Sequence, residues 1–203
     1  MKKKLVCGVG INDADYPIDI RDVWYECGKK KQKVLWVCPF YARWKSMLKR
    51  CYSEKVQEKY PTYKGCSVCE QWLTFSNFKA WMEKQDWEGK DLDKDILFKG
   101  DRVYSAETCV FVDQRVNLFL TDCASSRGEY IIGVCWDRSK NKFKAACRDG
   151  SGIQKHLGYF DTESEAHKAW LDFKLKLAHK LASEQTDPRI AKALIERYKN
   201  YEV

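Results

Sequence analysis

Two groups of residues in this 203-residue chain are of types that do chemistry at short spacing. The first is Cys66-Ser-Val-Cys69, which has the spacing of half a structural zinc site. Such a site takes four ligands, no second close Cys or His pair is evident, and Cys27 and Cys38 would have to complete the set. The preferred reading is bland: the ten cysteines are reduced, and Cys109, Cys135 and Cys147 serve as small hydrophobes in strand-like alternation. The second group is acidic. Glu83 to Glu107 holds eight acidic against five basic residues, with Asp93, Lys94 and Asp95 consecutive. Arg43 to Lys64 before it holds seven basic against two acidic, and Arg127 to Lys155 after it seven against three. An acidic centre between basic flanks suits a polyanion-binding protein with a cation site in the middle. All three histidines, His156, His167 and His179, lie far C-terminal of that centre.

Composition bounds the fold. Hydrophobic residues make up 44% of the chain and aromatics 14%, with eight Trp, against a net charge of +8. That is ample for packed cores in one or two domains and excludes disorder over most of the length. No run of about 18 apolar residues is present, so no membrane span is expected. Lys2-Lys3-Lys4 followed by Leu5 to Ile11 faintly mimics a signal peptide. Its two glycines and its stop at Asn12-Asp13 make it read as mature chain of an intracellular protein.

The elements follow from periodicity. Residues 1–38 read as turn-rich, with a lysine run at 29–31 and a short strand over Val34–Cys38. Phe40 to Tyr52 has helical spacing, its apolar stripe being Tyr41, Trp44, Met47, Leu48 and Cys51. A second amphipathic helix runs from about Ser76 to Lys84. Leu92–Val112 reads as a β-hairpin turning at Lys99-Gly100-Asp101, with a short helix over Gln114–Leu120 after it. Ser125-Ser126-Arg127-Gly128 is a linker in this reading. Beyond it come strands at Tyr130–Trp136, Lys142–Arg148 and Gln154–Tyr159. Asp161 to Glu165 then offers an N-cap and first-turn acids to a long helix buried along Ala166, Ala169, Trp170, Phe173, Leu177 and Leu181. Asp187-Pro188 opens a last helix. The fold class is α+β, in four parts: an N-terminal extension (1–38), a first module (39–123), a second (127–182) and a C-terminal helix (183–203).

Several motifs carry a family resemblance. Tyr41-Ala-Arg-Trp-Lys-Ser-Met-Leu-Lys-Arg-Cys-Tyr52, Tyr63-Lys-Gly-Cys-Ser-Val-Cys-Glu-Gln-Trp72, Phe75-Ser-Asn-Phe78, Leu92-Asp-Lys-Asp95, Tyr104-Ser-Ala-Glu-Thr-Cys109 and Asn117 together resemble the HNH-type nucleases of bacteriophages, many of them free-standing homing endonucleases. The resemblance implies a ββα-metal module gripping one Mg²⁺ or Mn²⁺, with Asp93 and Asn117 at the ligand positions. A hard cation of this kind takes oxygen ligands and stabilises charge on the scissile phosphate and the leaving 3′ oxygen. Two positions depart from the pattern. Lys94 occupies the place of the general-base His, and Thr108 that of the Asn that orients the base and braces the loop. Lys94 would then contact phosphate, and Asp95 is the remaining candidate for activating water.

Ile132-Gly-Val-Cys-Trp136, Lys142-Phe-Lys-Ala145 and His156-Leu-Gly-Tyr-Phe-Asp-Thr162 resemble the Apetala-two/ethylene-response-factor DNA-binding domain. The resemblance implies a three-stranded antiparallel sheet in the major groove, braced by a helix. Alternation places Val134, Phe143, Ala145, Cys147 and Leu157 toward the helix, and Cys135, Lys144, Ala146, Arg148, Gln154 and His156 toward DNA. Arg138, Lys140 and Lys142 would reach phosphates, and Arg148 could read a guanine edge. Arg43, Lys45, Lys49 and Arg50 would add backbone contacts from the first helix.

The expected protein is therefore a cytoplasmic, phage-type nickase acting on double-stranded DNA in a bacterial host, as a monomer or homodimer. Its rivals are a former nuclease that only binds DNA, as a repressor or blocker, and a module that binds a protein partner.

Overall fold

The first helix forms where the periodicity put it, because Pro39 presets the first turn and every fourth or third residue is apolar. In the computed structural model, which describes residues 5–121, 128–150 and 152–201, α1 spans Pro39–Tyr52 and buries Tyr41, Trp44, Met47, Leu48 and Cys51. Trp44 is wholly enclosed, and its indole N–H donates to the Trp72 carbonyl at 2.6 Å. Around it pack Phe75, Phe78 and Met82 of α3 (Phe75–Met82), Leu92 and Cys109. A short helix α2 (Glu54–Lys59) follows α1.

The chain divides into two units, Met1–Phe111 and Val112–Val203. Two differences from the sequence reading stand out in the first. Residues 19–37 form one long ribbon, β1 (Asp19–Glu26) paired antiparallel with β2 (Lys29–Val37), turning at Cys27-Gly28. The lysine run is therefore strand, because both edges of the ribbon face water and long polar side chains suit them. The hairpin expected over Leu92–Val112 is instead two pairings. β4 (Asp91–Asp93) pairs with β6 (Val110–Val112), while the intervening β5 (Val103–Tyr104) pairs in parallel with β3 (Ser67–Val68).

The second unit holds α4 (Gln114–Leu120), the antiparallel sheet β7 (Val134–Asp137), β8 (Lys142–Arg148) and β9 (Gln154–Phe160), and helices α5 (Glu163–Ser183) and α6 (Pro188–Lys199). Thr162 and Glu165 form a reciprocal capping box that starts α5, and Asp187 caps α6. The last carbonyls of α4 are held from α5 and α6. Lys174 and Tyr198 both donate to the Phe119 carbonyl, at 2.8 and 3.0 Å, and Arg197 donates to that of Leu120. This is why α4 belongs with the second unit rather than with the residues before it. The C-terminal helix joins the same unit, burying Ile190, Leu194 and Tyr198. Of the expected linker Ser125–Gly128, residues 125–127 lie outside the described residues.

α5 packs on one face of the sheet, with Trp170 against Gly133. Gly133 has φ +86°, and a Cβ there would sit 2.1 Å from the Trp170 ring. His167, outside the expected stripe, is buried with its ring stacked on Trp170 and its Nδ1 2.9 Å from the Ile132 carbonyl. Among the described residues, no helix is long and apolar enough to cross a membrane.

The Gly133 contact gives a test of this packing. Gly133→Ala combines backbone strain with a steric clash, each costing about 1–3 kcal/mol. The second unit should lose about 2–4 kcal/mol, read as an early thermal transition by Trp fluorescence, while Gly128→Ala, which meets open space, leaves the transition in place.

Candidate functional site

In the first unit, β4 alternates Leu92 into the core with Asp91 and Asp93 on its other face. Two arginines of α1 fasten this strand. Arg43 donates to the Asp91 carboxylate at 2.9 Å and to the Lys90 carbonyl at 2.7 Å. Arg50 donates to the Leu92 carbonyl, lies over the Tyr63 ring and reaches the Tyr104 hydroxyl. Both were expected to touch phosphate. Their guanidiniums are engaged within the unit instead, Arg43 by the partly exposed Asp91 carboxylate and the Lys90 carbonyl, Arg50 by the Leu92 carbonyl. Lys45 and Lys49 are the exposed cations of that helix.

Asp93 ends β4. Its Oδ1 accepts the backbone N–H groups of Asp95 at 2.7 Å and Ile96 at 3.0 Å. Burial pushes its carboxyl above the ordinary carboxylate range, and the neighbouring Asp95 charge adds to that push. The adjacent ammonium does little to offset it, because Lys94 turns inward. Lys94 is 6% exposed, lies above the Tyr104 ring, and donates to Asp95 Oδ1 at 2.7 Å and to the Asp101 carbonyl. It is thus a strut for the loop after β4 rather than an outward phosphate ligand. Asp95, half of whose side chain is exposed, stays at the surface. Thr108 braces the turn between β5 and β6, donating to the Val103 carbonyl at 2.7 Å and accepting from the Ser105 N–H.

Asp93 and Asp95 are neighbouring carboxylates, but Asp95 Oδ1 is engaged by Lys94 and Asp93 Oδ1 by two backbone N–H groups, which leaves one oxygen of each without a partner among these contacts. Asp93 is described in the first unit and Asn117, half-buried on α4, in the second. Among the described residues, no group of three or more His, Cys, Asp or Glu side chains is placed to hold a metal ion. Cys66 and Cys69 are free thiols, Cys27 is exposed at the ribbon turn and Cys38 is buried ahead of α1. Burial raises Cys51 and Cys109 to about 12, which fits thiols acting as apolar packing.

The second candidate surface is the β7–β9 sheet. Its covered face carries Ala145 and Cys147, with Phe143 packed against Trp136. The register places Cys135 beside Lys144 and Tyr159, Ala146 beside His156, and Arg148 beside Gln154 on the other face. The alternation read from the sequence holds along β7 and β8 and over Gln154–His156 of β9. A bulge at Leu157, with Gly158 at φ +141°, then shifts the parity of the rest of β9. The shift brings Tyr159 to the uncovered face, its ring 4.6 Å from His156 and its hydroxyl donating to Asp137. Sequence reasoning missed Tyr159 because strict alternation cannot see a bulge; Gly158 was the only cue. Arg138 and Lys140 are exposed on a turn organised by Asp137, which accepts from Ser139 and Lys140. Lys142 pairs with Asp161 at 2.7 Å.

Comparison with family models, with curated proteins and with solved structures gives no match for this chain.

The state of Asp93 is testable without any substrate. A carboxyl raised in the folded state costs stability as pH climbs from its ordinary value near 3.8 through the raised one. Asp93→Asn keeps the Oδ1 acceptor and removes the charge. It should melt higher than wild type at pH 7, with the difference vanishing toward pH 4. Millimolar Mn²⁺ should raise the wild-type melting temperature and leave Asp93→Asn unmoved.

Proposed function

We propose that this chain is a DNA-binding protein of the phage HNH-nuclease type. In this reading the β7–β9 sheet docks on duplex DNA, and the acidic turn at Asp93 serves phosphodiester hydrolysis. The observation that carries it is the two-faced sheet, with one face packed on α5 and the other bearing Lys144, Arg148, Gln154, His156 and Tyr159. A polar, cationic sheet face with a packed back is the form in which strands read a major groove.

Arg148 would offer its fork to a guanine edge, and Arg138 and Lys140 would hold flanking phosphates. Asp93 would hold one Mg²⁺ or Mn²⁺. Bound there, the cation would neutralise charge on the phosphate and on the departing oxygen. Asp95 Oδ2 is the group available to take a proton from the attacking water, its partner oxygen being held by Lys94. A single site nicks one strand.

One observation favours a second reading, that of a DNA-binding protein that no longer cleaves. Lys94, at the position of the family's base, is internal and cannot act as one there.

One variant separates these readings, and a second tests the DNA surface common to both. Supercoiled plasmid with Mg²⁺ or Mn²⁺ should be nicked by wild type and left intact by Asp93→Ala, both proteins shifting a duplex equally in a gel. Binding without nicking by wild type in any metal would select the second reading. Arg148→Ala should weaken binding to a preferred site by about 1–3 kcal/mol and relax its base preference. If neither protein shifts a duplex at about 50 mM salt, where phosphate contacts are strongest, DNA is not the partner.

A further inference from the structure

The β1–β2 ribbon has no core beneath it. All nine residues of β2 and every residue of β1 after Asp19 are exposed. Eight large apolar side chains lie in water along it, Tyr25 being 72% exposed. An isolated two-stranded ribbon is marginal on its own, and an apolar surface of this extent marks a contact surface.

Charge says what the contact is. The outer edge of β2 carries Lys29, Lys30, Lys31 and Lys33, and β1 carries Asp19, Asp22 and Glu26. Charged edges, lysine edges above all, oppose the addition of another strand, which argues against pairing with a second copy. Four lysines within five positions beside the turn attract a polyanion, although Glu26 stands 3.6 Å from one of them, Lys31. The register sets Lys29, Lys31 and Lys33 on one face with Trp24 and Trp36, and Lys30 on the other with Tyr25. On the first face Glu26 stands opposite Lys29 and Asp22 opposite Lys33, which leaves one ammonium in excess beside the two indoles. The second face carries Lys30 beside Tyr25, with Arg21 paired to Asp19. That suits a surface enclosed on both sides by phosphates, as a groove is.

Dimensions agree. Two strands lie about 4.8 Å apart and eight residues reach about 26 Å. A major groove about 12 Å wide admits a two-stranded ribbon. We propose that the β1–β2 ribbon is a second DNA-contacting element, entering the major groove turn-first with its lysines on the phosphates and its aromatic rings against base edges. The proposal rests on the DNA-binding reading above and extends it to the N-terminal residues, which had no assigned role.

The test is duplex binding by the full chain, followed by anisotropy across a salt series. It compares wild type, Lys29→Gln/Lys30→Gln/Lys31→Gln, and a control of equal charge on the outer side of α5, Lys168→Gln/Lys176→Gln/Lys180→Gln. Each phosphate contact adds about 0.9 to the slope of log affinity on log salt, so the ribbon variant should lose about 2–3 from the slope and bind about 10–100-fold more weakly at 100 mM salt. The control should keep the wild-type slope. Circular dichroism and melting of both variants should match wild type, since the changed side chains are exposed. Equal slopes for the ribbon variant and wild type, with Arg148→Ala still impaired, would overturn the ribbon proposal and leave the DNA reading standing. Failure of wild type to bind any duplex would remove both. A ribbon variant that loses self-association in sedimentation, with its salt slope unchanged, would also overturn the proposal and make the ribbon a contact between copies.

Discussion

Arg50 is the interaction on which the first unit depends. Its guanidinium leaves α1, donates to the Leu92 carbonyl of β4, covers the Tyr63 ring and reaches the Tyr104 hydroxyl of β5. One cation thereby joins a helix to two strands that lie in different small sheets, and burial raises the Tyr104 hydroxyl in turn. Such a charge is costly to enclose unless its donors are used, and the carbonyl, ring and hydroxyl use them. With Arg43 holding Asp91, the strand that presents Asp93 is fixed from one side by α1. The half-buried Asp93 carboxylate can then hold its place above the ordinary carboxylate range without a lysine neutralising it.

In the second unit the corresponding constraint is steric. Trp170 of α5 lies where any side chain at position 133 would be, so the helix approaches the strand closely and covers one face of the sheet. Covering that face leaves the other to its polar residues. The grip of Lys174, Tyr198 and Arg197 on α4 comes from the next turn of α5 and from α6, with Lys174 and Tyr198 both beside the Trp170 ring. Burial draws the Lys174 ammonium down to about 8, the expected consequence of placing it over the Phe119 ring and beside other aromatic groups.

What could be read from the sequence depended on whether neighbours in the chain decided it. The stripe of α1 and the limits of α4 followed from local periodicity, and the cap at Thr162 from residue type. The alternation of β8 likewise told its two faces apart. What escaped was decided at a distance. β5 leaves its expected partner because β3, more than thirty residues earlier, offers a parallel edge. Arg43 and Arg50 look like a basic helix face until the carbonyls of residues 90–92 come within reach. Lys94 looks outward-facing until the Asp101 carbonyl closes over it. The bulge that turns Tyr159 outward had a single glycine as its local sign.

The proposed function requires the uncovered face of the β7–β9 sheet to be a duplex-DNA surface, a role set by side-chain chemistry rather than by fold. Hydrogen exchange of the full chain with and without a saturating duplex tests it most directly. Amides of β8 and β9 and of the turn at 138–141 should slow on binding, while those along α5 keep their free rates. Unchanged exchange throughout the sheet in the presence of bound DNA would contradict it.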